Sequence, residues 1–175
     1  MYAIEFETDI TGNFIELKDY EQLLNKHAKV IVLVDEMRLT VIFFDTNVLV
    51  YFAINQDVRK QSIAQILIQQ VIEKQTLVIS PLVIIEFIFV LSKFNQLVEQ
   101  DKVVSFFQQL VKGQIDSNLV LSAYQLCAHP PEQGKNINNV IHLKFAEQHC
   151  EKIITFDSDF KSLASFSTIK LELQS

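Results

Sequence analysis

The 175-residue sequence predicts an α/β fold of three layers, a central parallel sheet between helices, with a small β-rich appendage at its front. Three observations carry this. From residue 37 onward, apolar runs of strand length alternate with helix-length stretches, the order that builds strand–helix–strand units. Those runs are solidly apolar, as in strands covered on both faces. The composition, 49% hydrophobic and 21% charged with three Gly and three Pro, is that of a compact chain and not of a disordered one.

Residues 1–36 read as a separate module. "YAIEFETDI" alternates as a strand does, "TGN" makes a turn and "FIELK" alternates again. A short helical stretch around Tyr20 to Asn25 follows, then a third strand, "KVIVLVDE". A piece this small rarely buries enough surface to fold alone, so it is expected to lean on the main domain or pair with another chain.

The main domain, residues 37–175, opens with the strand "LTVIFF" and a helical stretch after Asn47. A helix over Val58 to Lys74 and the strand "TLVIS" follow. Ser80 then supplies an N-cap and Pro81 a first helical residue, so the helix Pro81 to Phe94 begins there. That boundary matters, because Thr76 to Phe94 would otherwise pass for a membrane span. Ser80-Pro81 divides it and Glu86 interrupts the rest, which predicts a soluble chain. "LVEQDKVVSFFQQLVKG" reads as an amphipathic helix ended by Gly113, and "SNLVLSAYQLCA" as another, broken by "HPPEQGK". The helix "NINNVIHLKFAEQHC", the strand "KIITF" and a last strand "TIKLEL" complete the order.

Charge and cysteine content narrow the function. Residues 1–36 hold eight of the acids and three lysines, while the remainder is nearly balanced within a total of −6. No global field favours nucleic acid, so any such contact needs a local basic patch, for which Arg59 and Lys60 at a helix start are the candidates for an RNA backbone. Cys127 and Cys150 form neither a zinc pair nor a disulfide framework and fit a reducing cytosol as small hydrophobes. The acidic, alternating N-terminus is unlike a secretory leader.

The carboxylates carry the chemistry. Strands end in "FFDTN" at Asp45 and "ITFDSDF" at Asp157 and Asp159, where ligand sites of parallel sheets lie. Glu86, on the helix after the second strand, can reach the same end. Converging acids repel unless a cation sits among them, and hard oxygens suit Mg²⁺ or Mn²⁺. Helix capping is the plain alternative for Asp45 and Asp157, and a single hydrogen bond or lysine for Glu86. Asp159 reads equally as loop support or as a ligand. His142 reads as a packed histidine or, were the substrate a phosphodiester, as a contact near its phosphate, whereas His27, His129 and His149 have no partners at ligand spacing. The Phe residues are mostly core and interface; base stacking would need exposed rings.

Residues 41–171 resemble a PIN domain, the nuclease fold of VapC-like toxins, in the strand-borne "DTN", the acid in "SPLVIIEF", the helix "NINNVIHLKFAEQ" and the closing "TFDSDF". The resemblance implies a metal-dependent ribonuclease in which Asp45, Glu86 and Asp157 are catalytic. With Asn139 and Asp159 they would hold one or two metal ions. Thr46, Asn47 and Thr155 would orient the acids through hydrogen bonds. Asn139 stands where the family has its third acid, one helical turn before His142. An amide carries no charge and takes up no proton, so activity is expected to be attenuated. Residues 1–36 are similar to the front of AbrB-like antitoxins, with Met37 where a free-standing toxin would begin. A homodimer, an RNA substrate and an antitoxin-like partner are what these likenesses imply. The alternative is a catalytically silent PIN module that binds RNA or a protein. A haloacid-dehalogenase reading fails, because its second Asp is here Asn47.

Overall fold

The computed structural model describes Glu21, Leu24–Lys26 and residues 40–128 and 137–175. All but those first four belong to the compact unit Arg38–Ser175. The expected strands, short helix and partner role of residues 1–36 thus lie almost wholly outside the described residues, as do His27, His129 and "HPPEQGK".

Four short parallel strands form one sheet: β1 (Ile42–Phe44), β2 (Leu77–Val78), β3 (Lys152–Thr155) and β4 (Lys170–Leu173). Their order is β2-β1-β3-β4, with Phe43 opposite Val78 on one side and Ile153 on the other. The chain leaves β1 toward one side for β2 and reaches β3 on the other, so the ends of β1 and β3 flank a topological switch point. Phe43, Phe44, Ile153 and Ile154 are buried, which explains their unbroken apolar character. Among the described residues seven helices accompany the sheet, giving the three-layer α/β/α fold: α1 (Thr46–Ala53), α2 (Val58–Glu73), α3 (Pro81–Lys93), α4 (Asp101–Gln108), α5 (Ser117–Cys127), α6 (Ile137–His149) and α7 (Phe160–Leu163).

Side-chain caps set several starts. Asp57 accepts from the N–H groups of Arg59 and Lys60, Ser80 from Val83 and Asp116 from Leu119, each filling a donor that the first helical turn leaves open. Pro81 occupies the first turn of α3 as expected. No helix of the described residues is long and apolar enough to cross a membrane.

One expected helix is shorter than its apolar pattern. The run 97–113 is helical only over Asp101–Gln108. Beyond it the backbone turns to the sheet edge, where Ile79 donates to Leu110 O and accepts from Lys112 N–H. Val111 thereby bridges Ile79 in parallel. Pairing the open edge next to β2 outweighs two more helical turns. Gly113 follows at φ 71°, a left-handed conformation that glycine adopts without strain.

Candidate active site

Asp45 follows β1 directly and its backbone N–H still bonds to Ile154 O of β3, so the carboxylate stands at the strand end. It is 4% exposed. Oδ1 accepts from Thr46 N–H at 2.7 Å, while Oδ2 accepts from Asn47 Nδ2 and Thr155 Oγ1, both at 2.6 Å. Burial raises its pKa above the usual 3.8; His142, the Thr155 hydroxyl and Thr46 N–H pull it down without cancelling that, and Glu86 adds to the rise.

Glu86 comes from α3 and meets Asp45 through shared neighbours. Its Oε2 accepts from Thr46 Oγ1 at 2.5 Å and lies 2.9 Å from His142 Nε2, which is itself 3.8 Å from Asp45 Oδ1. Its Oε1 accepts from Asn138 Nδ2 at 2.5 Å. Burial pushes the Glu86 pKa up, but the bond and charge of His142 and the donors Thr46 and Asn138 outweigh it, so the net shift is downward from 4.5. His142 is 1% exposed; its Nδ1 has no partner among the described residues. With two carboxylates facing Nε2, the proton belongs on that nitrogen.

Asp157 joins the site through Thr155. The Thr155 hydroxyl, which donates to Asp45, accepts from Asp157 N–H at 2.9 Å and from Asn47 Nδ2 at 3.0 Å. Asn47 Oδ1 in turn accepts from Phe156 N–H at 3.0 Å, tying α1 to the end of β3. Asp157 Oδ2 accepts from Asn139 Nδ2 at 2.8 Å, and Oδ1 accepts from Asp159 N–H at 2.9 Å.

These contacts sort the candidate residues. Thr46, Asn47 and Thr155 bind the acids, and Glu86 and Asp45 are neighbours. Asp157 is linked to them through a hydroxyl and turned toward Asn139. Asp159 is exposed and next to Asp157. As placed, no three His, Cys, Asp or Glu side chains among the described residues are grouped as a ligand set: Asp45 and Glu86 are neighbours, and Asp157 reaches Asp45 only through Thr155. Burial of His142 against Glu86 favours its packed reading over a phosphate contact. Arg59 is exposed, and Lys60 lies against Tyr51. Sequence reasoning missed Asn138, whose only sign was its place beside Asn139 in "NINN". That Tyr51 and Phe156 lie against Lys60 was also not foreseen, since aromatics in an apolar pattern look like core.

The donor chemistry fits a divalent cation. Among the described residues no Lys or Arg ion-pairs with Asp45, Glu86 or Asp157. Apart from His142 between Asp45 and Glu86, hydroxyls, amides and backbone N–H groups satisfy these hard oxygens, and none of those carries a charge. The raised pKa of Asp45 comes first from burial, with a smaller push from the Glu86 charge, and a bound cation would oppose both.

Residues 42–165 match the PIN domain family, and the chain belongs to it. No curated protein sequence matches the chain. Solved structures share the fold, two of them from toxin–antitoxin systems. One is VapC20 of Mycobacterium tuberculosis, a sarcin–ricin loop cleaving toxin: it aligns with a TM-score of 0.56 at 14% identity, covering 70% of this chain and 95% of that one. The other is VapBC2 of Rickettsia felis, bound to a DNA fragment from its promoter: TM-score 0.55, 18% identity, covering 77% of this chain and 99% of that one.

Proposed function

We propose that this PIN protein is a Mg²⁺- or Mn²⁺-dependent endoribonuclease of the toxin–antitoxin type, attenuated by Asn139. The observation that carries the reading is the joining of Asp45 and Glu86 across Thr46 and His142, with Asp157 coupled to Asp45 through Thr155. Asp45 and Glu86 would hold the cation, with Asp157 beside them. When bound, it would supply a Lewis acid for a phosphoryl oxygen and acidify a water. Asn47 and Thr155 hold the Asp45 carboxylate in one orientation, and His142 does the same for Glu86. Asn139 presents an amide to Asp157 where a further carboxylate would add charge, so cation affinity and rate are both lowered. RNA would approach from the side of Arg59 and Lys60. A homodimer, an antitoxin-like partner and a cytoplasmic location belong to the same reading, with residues 1–36 as an antitoxin-derived appendage.

A second reading is a silent module that binds RNA or protein. Two amides, Asn138 on Glu86 and Asn139 on Asp157, favour it by occupying oxygens that a cation would need. Incubation of labelled single-stranded RNA with Mn²⁺ separates the two. Cleavage that EDTA and Asp45→Asn abolish supports the nuclease; intact RNA throughout supports the silent module.

A further inference from the structure

Lys60 is a cation held by aromatic rings. Its Nζ lies 5.0 Å from the Tyr51 ring centroid and 6.0 Å from that of Phe156, and donates to Tyr51 Oη at 3.3 Å. The two rings meet edge to face with centroids 5.0 Å apart, and all three residues are half-buried. No carboxylate among the described residues ion-pairs with Lys60. The start of α2 does not explain the charge either, since a helix disfavours cations in its first turn.

Tyr51 Oη accepts from the ammonium and so keeps its own proton to donate; no acceptor for it stands among the described residues. The ammonium likewise has two N–H bonds left. Three donor bonds on two neighbouring groups, with one full positive charge, are thus left to bind a ligand. These groups lie beside the acids. Asn47 and Tyr51 are four residues apart on α1, hence on one face about 6 Å apart. Phe156 sits between Thr155 and Asp157, its N–H bonded to Asn47. Tyr51 and Phe156 thus each adjoin a residue bonded to the acids: Asn47 on α1 and Thr155 at the end of β3.

We propose that Lys60 and Tyr51, steadied by Phe156, bind a backbone phosphate of single-stranded RNA that passes the acids. The inference rests on the reading of RNA as substrate. It assigns Tyr51 and Phe156 a binding role and gives Lys60 a defined ligand, the phosphodiester oxygens.

The test is RNA binding in EDTA, so that no cleavage intervenes, followed by fluorescence anisotropy of a labelled single strand across a salt series. Lys60→Met, which keeps an apolar stem on the rings, should weaken binding and lower the salt slope by about 0.7, the value of one phosphate contact on a single strand. Tyr51→Phe, which removes only the hydroxyl, should weaken binding several-fold and leave the slope unchanged. Wild-type affinity and slope in both variants, with thermal unfolding confirming that they fold, would overturn the inference and leave Lys60 as packing on two rings. A wild type that binds with a Lys60-dependent slope but never cuts refutes the nuclease reading and keeps this subsite. A wild type that cuts while Lys60→Met binds unchanged does the reverse. Absence of RNA binding by wild type overturns both.

Discussion

Thr155→Val tests whether the site is a single hydrogen-bonded unit. Thr155 is fully buried, and valine has the same shape, so the change creates almost no cavity. What disappears is one hydroxyl with three bonds: to Asp45 at 2.6 Å, from Asn47 at 3.0 Å and from Asp157 N–H at 2.9 Å. A hydrogen bond to a charged group is worth about 1.5–3 kcal/mol, and the Asp157 N–H left behind adds about 1 kcal/mol at its half-buried position, for a loss of about 3 kcal/mol. For a protein of this size that lowers Tm by roughly 6–12 °C. Asp45 also loses one of the influences that lower its pKa, so its carboxyl moves further up. Thermal and urea unfolding at pH 7 measure the loss. Thr155→Ser is the control, because it restores the hydroxyl and removes only a methyl. Stability of Thr155→Val within about 0.5 kcal/mol of wild type, or a serine variant as unstable as the valine one, would refute the reasoning.

Other perturbations address single contacts. Glu86→Gln should destabilise at pH 7 and have no effect in acid. The Glu86 pKa is lowered in the fold, so its contribution is present above the unfolded value and lost as pH falls through the folded one; urea midpoints from pH 7 to pH 3 should converge. A constant difference across that range would contradict the assignment. Gly113→Ala should cost about 2 kcal/mol in urea unfolding. The residue sits at φ 71°, and an added Cβ would lie 2.9 Å from His149 Nε2 and from Phe145 Cε2. Ser80→Ala should cost about 1 kcal/mol, the worth of the cap on Val83 N–H. A neutral outcome at either position would show that the local backbone relaxes freely.

Much of the architecture was legible because each level of the sequence agrees with the next. The solid apolar runs around Phe43 and Ile153 could only be covered strands, and Ser80-Pro81 marked a helix start at the right residue. Asp45 and Asp157 stood out as candidates because they end such runs. Helix α4 was overestimated, since periodicity continues through residues that the sheet edge recruits: the Ile79–Val111 bridge is a long-range contact no local pattern encodes. The site was legible as a list of acids but not as an arrangement. Spacing indicates that Glu86 can reach Asp45; it does not say that His142 fills the space between them or that Asn138 takes the outer oxygen of Glu86. Those contacts depend on how α3 and α6 pack. Lys60 illustrates the same limit, because its setting joins the consecutive helices α1 and α2 to Phe156, far along the chain.

The central claim is a cation site one carboxylate short, and Mn²⁺ titration calorimetry of wild type and Asn139→Asp tests it most directly. Replacing the amide by a carboxylate beside Asp157 should tighten Mn²⁺ binding by about 10–100-fold, the usual effect of one group in or around a metal shell. The enthalpic signal should vanish in Asp45→Asn. Equal affinity in wild type and Asn139→Asp, or no Mn²⁺ binding by either, would contradict the account.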